Sequence, residues 1–231
     1  MPYKKTPIIT IDGPGGTGKG TVGRRLAHHL GWHFLDSGMI YRGLAFAALK
    51  KQIAHDDERR LEECARTLDL HCVNEDCDRD LHIFLEDEEI GEQLRSETIG
   101  SLASKISTFP TVRSALLEWQ RAFAKAPGLV TDGRDMGTVV FPDADLKLFL
   151  DASCEERAHR RFLQLQRKGI DVDLVTLTKE LQDRDRRDRE RAVAPLRAAP
   201  DALIIDTTHL TVEAVLKLIL VEVGKRSLNA F

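Results

Sequence analysis

Residues 8–21 restrict the possible folds of this chain more than any other stretch. The apolar run Ile8-Ile9-Thr10-Ile11 feeds directly into Gly13-Pro14-Gly15-Gly16-Thr17-Gly18-Lys19-Gly20-Thr21, after which Val22, Leu26, Ala27 and Leu30 recur at helical spacing. A strand, a glycine-rich turn and a helix in that order aim several backbone N–H groups and a helix N-terminus at one point, where Lys19 adds a mobile cation. Such a turn is a nest for a polyphosphate. The spacing of Gly13 and Lys19 is that of the phosphate loop, with one departure: Gly20 stands where most such loops carry Ser or Thr for magnesium, and the hydroxyl follows at Thr21.

At 231 residues and 42% apolar content, the chain suits one α/β domain with insertions, or at most two small domains. Its 37 acidic and 34 basic groups leave no general positive field of the kind a nucleic-acid binder uses, so any bound anion must be met by local arginines. The opening residues lack an apolar signal core, and the most apolar late run is broken by Lys217 and Glu222, so a cytoplasmic protein without a membrane span is expected. Cys64, Cys72, Cys77 and Cys154 form no C-x-x-C pair and have no histidine at metal spacing. Reduced thiols are therefore expected, and no protein metal site is assigned. His28 and His29 read as ordinary helix residues.

Farther along, Trp32-His33-Phe34-Leu35-Asp36 is a short strand, followed by a helix over 39–49 that Ser37 is placed to cap. Tyr41 and Arg42 fall on its first turns, where dipole and guanidinium can share an anion. After a charged helix over 57–68 the texture changes. Leu68 to Val73 alternates, 74–78 reads as a turn, and 81–85 is a second strand, so a small antiparallel insertion interrupts the strand–helix order. Helices resume over 92–106 and 111–126. A third buried strand, Gly128-Leu129-Val130-Thr131, ends in Asp132-Gly133-Arg134-Asp135-Met136-Gly137, and charge at the carboxyl end of a parallel strand faces ligands. Strands at 146–150 and 202–205 and an amphipathic helix over 212–223 complete five strands of one sheet. Between them, 155–191 is crowded with arginine. Arg184, Asp188 and Arg191 stand at i, i+4 and i+7, which on a helix puts two guanidiniums beside one carboxylate; spacing alone favours a solvated charged face.

A surplus of arginines beyond what a triphosphate needs favours transfer to an acceptor that is itself a phosphate, because two polyanions in line demand neutralising cations more than a base. The Gly18-Lys19-Gly20-Thr21 ending resembles the nucleoside monophosphate kinases. Three further stretches resemble bacterial cytidylate kinase of the long form: Asp36-Ser37-Gly38-x-x-Tyr41-Arg42, Asp132 to Pro142, and Arg184 through Asp188 to Arg191-Ala192-Val193-Ala194-Pro195-Leu196. The resemblance spans nearly the whole chain. It implies a P-loop kinase fold: a three-layer α/β sandwich with a five-stranded parallel sheet, a monophosphate-binding insertion over about 67–104 and a lid over about 157–190.

The same resemblance implies reversible phosphoryl transfer from ATP to CMP or dCMP by a monomer, with small molecules as its partners. ATP is then held by Gly13 through Thr21. Magnesium rides mainly on its phosphates and water, with Thr21 an optional ligand. Arg42, Arg134 and Arg191 correspond to the grip on the CMP phosphate, Arg184 and Asp188 to the sugar contacts, with Ser37 and Tyr41 beside them, and Ser104, Arg113 and Asp135 to the base-reading set. Lys19, Arg134, Arg184 and Arg191 are the expected catalytic groups, and Arg160 and Arg161 the lid arginines. Cytosine suits such a base-reading set, since a carboxylate takes its amine while Arg and Ser donate; uracil reverses part of that pattern. Arg167, Arg186, Arg187 and Arg189 are expected at the surface. A P-loop kinase for another monophosphate such as UMP, or a regulatory nucleotide-binding ATPase, are the alternatives.

Overall fold

The computed structural model describes residues 6–73, 82–167 and 169–228. Strand β1 (Ile8–Asp12) is buried along its whole length and enters the glycine-rich turn, and α1 (Lys19–Leu30) buries Val22, Leu26 and Ala27. Gly31 ends α1 in the left-handed region at φ 65°, which turns its own N–H and that of Trp32 back onto the His28 and Ala27 carbonyls. Strand β2 (His33–Asp36) leads into α2 (Ser37–Lys50). The cap of α2 is Asp36, whose Oδ1 accepts from the Met39 N–H at 3.2 Å, and not Ser37, which is already the first helical residue. The cause is that a carboxylate one residue earlier reaches the third N–H of the turn, the geometry a cap requires.

Residues 36–123 form one of two compact units, a range wider than the insertion expected over about 67–104. It comprises α2, α3 (Glu58–Arg66), the antiparallel strands β3 (Leu70–Val73), β4 (His82–Leu85) and β5 (Glu88–Glu89), α4 (Glu97–Ile106) and α5 (Pro110–Arg121). The turn expected at 74–78, with Cys77, lies outside the described residues, as does the side chain of Cys72. The single helix expected over 92–106 is two pieces: a short turn at Gln93–Arg95, then α4. Ser96 divides them, its backbone extended and its Oγ accepting from the Ile99 N–H at 3.3 Å, because a serine at that point offers the backbone a cap in place of helix continuation.

The second unit, 1–35 with 124–231, carries β6 (Leu129–Gly133), β7 (Leu146–Asp151), α6 (Cys154–Gln166), α7 (Leu174–Glu190), β8 (Leu203–Asp206) and α8 (Val212–Lys225). Its sheet has the order β2-β6-β1-β7-β8. β1 lies parallel to β6 and to β7, and β7 parallel to β8, with helices on both sides of the sheet. The five-stranded α/β architecture expected from the sequence is the one observed. Register decides what matters next: Asp12 pairs across from Gly133, so the glycine-rich loop and the Arg134-Asp135 turn leave the sheet at the same edge. Ile9, Ile11, Leu26, Val130, Leu148, Leu150 and Ile219 form the core beneath them. Among the described residues no helix is long and apolar enough to cross a membrane.

Because Leu26 is fully buried between α1 and the sheet, Leu26→Ala should lower the unfolding free energy by about 2–5 kcal/mol. Urea denaturation would check this, and an unchanged midpoint would mean that α1 is not anchored as described.

Candidate active site

The loop between β1 and α1 is shaped by what its glycines exclude. A Cβ at Gly13 would overlap the Leu150 carbonyl of β7, and one at Gly16, where φ is 85°, would stand 2.9 Å from the Cβ of Arg157. Gly18 caps α1 with no side-chain hydrogen bond, so the dipole of the helix opens into the loop. Lys19 is 8% exposed and its Nζ donates to the Pro14 carbonyl at 3.0 Å, drawing the cation across the mouth of the turn. Thr17 Oγ1 donates to the same carbonyl at 3.2 Å.

Where β6 ends, Asp12 organises the second turn. Its Oδ1 accepts from the Met136 N–H and its Oδ2 from the Gly137 N–H, each at 2.8 Å. The segment Met136–Val140 closes as one wide helical turn, with the Asp135 carbonyl accepting from Val139 and Val140 and the Met136 carbonyl from Phe141. Such widened turns recur where a backbone must re-aim side chains at a site. Burial pushes the Asp12 carboxyl up to about 6; the Gly137 and Met136 amides and Lys19 work against that rise, while Asp135 adds to it. Asp135 itself is buried. Sequence reasoning did not single out Asp12, although an acid at the last position of a buried strand is an anomaly that marks it.

A third group converges on the loop from α7. Arg134 Nε donates to Asp188 Oδ2 at 2.7 Å, and both partners are largely buried. Burial alone would raise the Asp188 carboxyl, but Arg134, Arg184 and Arg191 together hold it below the usual carboxylate range. Burial likewise works against the Arg134 charge, and Asp188 overcomes it, leaving Arg134 above its ordinary value. A methyl built on Gly15 would lie 3.6 Å from Arg134 Nη2 and 4.0 Å from Arg184 Nη1, so both guanidiniums stand at the phosphate loop. The helical face expected from spacing holds for Arg184 and Asp188 only. Helix α7 stops at Glu190, and Arg191 is extended, its Nε reaching the Asp188 carbonyl at 3.3 Å. That carbonyl also accepts from the Leu196 N–H at 2.8 Å, a bond from eight residues on that stands in place of the next helical one.

Within the 36–123 unit, Ser37, Tyr41, Ser104 and Arg113 are all buried. Arg42 Nη1 donates to the Leu94 carbonyl at 2.6 Å and the Ser96 carbonyl at 3.1 Å. Arg113 Nη1 donates to the Ser107 carbonyl at 3.2 Å, and its guanidinium carbon lies 5.7 Å from the centre of the Tyr41 ring. Ser104 Oγ is buried with no hydrogen-bond partner among the described residues.

The chain matches the model of the cytidylate kinase family over residues 9–225. It belongs to the cytidylate kinase family. The curated cytidylate kinase of Stutzerimonas stutzeri is 54% identical over 228 residues, covering 97% of this chain and 98% of that one. That of Edwardsiella ictaluri is 56% identical over 210 residues, covering 91% and 92%. A solved structure of an uncharacterised protein from Eubacterium ventriosum superposes with a TM-score of 0.50 at 14% identity, over 96% of this chain and 99% of that one, a likeness of fold.

In this cytidylate kinase family member, the arginines expected in the lid take several different positions. Arg160 donates to Glu156 at 2.8 Å and to the Thr207 carbonyl at 2.5 Å, and Arg161 Nη1 to Gln164 at 2.7 Å. Arg157 lies against the phosphate loop instead, donating to the Gly15 carbonyl at 3.0 Å. Thr207 Oγ1 is also within reach of the loop, 3.2 Å from the Thr17 carbonyl. Neither was legible as a site residue, since one sits in a run of arginines and the other after a strand with no motif.

The Asp12 shift has a definite sign. The native state holds this proton between pH about 4 and about 6, where an unfolded carboxyl of 3.8 has lost it. Its contribution to stability therefore declines as pH rises through that window and is flat above it. Carboxyl-carbon NMR should show Asp12 titrating near pH 6; a midpoint at or below 4 would contradict its burial by the turn.

Proposed function

We infer that the chain reversibly transfers the terminal phosphoryl group of ATP to CMP or dCMP, giving ADP and CDP or dCDP, as a step of pyrimidine nucleotide metabolism. One observation carries the reading: the buried Arg134–Asp188 pair, with Arg184, beside Gly15 of the phosphate loop. Cations and one ionised carboxylate at that place suit an acceptor bearing both a phosphate and hydroxyl groups. High identity with curated cytidylate kinases along nearly the whole chain supports it.

The loop N–H groups of 13–21 and Lys19 hold the ATP phosphates. Arg42, Arg134 and Arg191 grip the CMP phosphate, and Arg184 and Asp188 hold the sugar, with Ser37 and Tyr41 adjoining. An oxygen of the CMP phosphate attacks the γ-phosphorus of ATP. The bond from that phosphorus to the β–γ bridging oxygen breaks, and ADP leaves with the electron pair. The acceptor is already anionic, so no base is required; Lys19, Arg134, Arg184 and Arg191 act by neutralising and aligning charge. Asp135 accepts the exocyclic amine of cytosine while Arg113 and Ser104 donate, and the buried Ser104 hydroxyl thereby gains a partner.

Kinases of this family use ATP with a divalent metal, which we assign as magnesium. The residues fit it: a Cβ on Gly20 would lie 3.8 Å from Asp132 Oδ2, so a carboxylate oxygen and the exposed Thr21 hydroxyl adjoin the loop, and oxygen donors suit a hard cation. Bound with the nucleotide, the ion supplies neutralisation of the β- and γ-phosphates. We assign monophosphate binding to the segment of about 67–104 and a lid to about 157–190, with Arg160 and Arg161 as groups that approach the phosphates on closure. We further assign a cytoplasmic monomer acting on small molecules; the net charge of −3 supports a role without nucleic acid.

Coupled ADP release with CMP, dCMP, UMP, AMP and GMP offered separately tests the reaction. Turnover is expected with CMP and dCMP and negligible without an acceptor. Preference for another monophosphate would discard the base assignment, and release without acceptor would point to an ATPase. Lys19→Ala should lower turnover by about 10²- to 10³-fold with unchanged circular dichroism. Asp135→Ala should cost CMP about 1–3 kcal/mol of transition-state binding while leaving UMP nearly unaffected; equal loss for both would remove Asp135 from base reading.

A further inference from the structure

Arg157 stands at the start of the segment assigned to the lid but is given no ligand contact above, and it is only 3% exposed. Its guanidinium fork holds three separate pieces of chain. Nε donates to the Ala152 carbonyl just beyond β7 at 3.0 Å, Nη1 to the Gly15 carbonyl of the phosphate loop at 3.0 Å, and Nη2 to Asp185 Oδ2 of α7 at 2.6 Å. The loop backbone lies directly on the first turn of α6, since a Cβ at Gly16 would meet the Arg157 Cβ at 2.9 Å and its carbonyl oxygen at 3.3 Å.

Asp185 is 7% exposed, and its other oxygen, Oδ1, has no hydrogen-bond partner among the described residues. The carboxylate is thus neutralised through Arg157, as a buried charge must be. Its position on α7 gives that contact its consequence. Asp185 follows Arg184 directly and precedes Asp188 by one helical turn, so fixing Asp185 fixes the rotation at which Arg184 and Asp188 are presented. The guanidinium is planar and its N–H directions are rigid, so the Gly15 carbonyl and the Asp185 carboxylate cannot shift independently while both bonds persist.

From this geometry we infer that Arg157 is a positioning residue which, through Asp185, makes the phosphate loop and the Arg184–Asp188 face of α7 one mechanical unit, so that occupancy of the donor site alters affinity for the acceptor. This rests on the functional reading above. Linkage makes the effect reciprocal: the acceptor alters donor affinity by the same factor. A guanidinium that touched nucleotide directly would behave differently, because its loss would weaken one ligand and leave the other's response intact.

The test is calorimetric titration of CMP into the full chain, with and without a saturating non-hydrolysable ATP analogue and magnesium, alongside a thermal midpoint for each variant. In the wild type the analogue should change CMP affinity by about fivefold or more. In Asp185→Asn and in Arg157→Lys that ratio should fall to within about twofold of unity, and the double variant should lose no more than either single one. Asp185→Glu, which keeps the charge, should restore part of the ratio, a rescue that a loss of stability alone would not produce. If Asp185→Asn does not fold, Arg157→Lys and Asp185→Glu decide the matter. A full ratio in Asp185→Asn, or weakened analogue binding confined to Arg157→Lys, overturns the inference. A wild type that binds both ligands without coupling overturns this inference alone, whereas a wild type that binds no CMP overturns the acceptor assignment and this inference with it.

Discussion

The parallel register that sets Asp12 beside Gly133 is the constraint on which the rest of the site depends. It brings two loops out of one sheet edge. Asp12 then ties the second loop down by accepting the Met136 and Gly137 amides with both of its oxygens. A buried carboxylate is costly, and the rise of its carboxyl to about 6 reflects that cost. The cost is tolerated because the alternative leaves two buried amides of a widened turn without acceptors. From that anchored turn Arg134 reaches Asp188, and the phosphate loop, the Arg134 turn and α7 are thereby held in one arrangement.

Charge is handled in this unit by pairing before any ligand is considered. Asp188 is matched to Arg134 and Asp185 to Arg157, both pairs largely buried and both joining α7 to other parts of the chain. In water-accessible positions such pairs would contribute little, but in a buried site removing one partner leaves an uncompensated charge. Arg186 and Arg161 in the same run show the contrast. Arg186 pairs with Asp183 at the surface and Arg161 with Gln164, in exposed contacts whose energetic worth is small. Residues of one composition within this run of mixed charge therefore differ widely in burial.

Local sequence determined the elements whose cause is local. The phosphate loop follows from glycines of which Gly13, Gly16 and Gly18 adopt backbone that side chains disfavour, the central strands β1, β6 and β7 from their buried apolar runs, and α1 and α8 from their helical spacing. Family motifs placed Arg134, Arg184 and Asp188 together, and membership of the cytidylate kinase family follows from the whole chain. What needed the structure is of two kinds: choices between competing local hydrogen bonds, and contacts across long sequence distances. Asp36 in place of Ser37 as a cap, the break at Ser96 and the departure of Arg191 from α7 are choices between two local options, settled by which hydrogen bond forms. Arg157 could not be told from its neighbours by sequence, because its role comes from the carbonyl of Gly15, 142 residues away, and the carboxylate of Asp185. Asp12 was equally hidden, since only the β1–β6 register puts its oxygens under the Met136 and Gly137 amides. Sequence periodicity reports which face of an element is buried; it carries no information on which distant partner waits there.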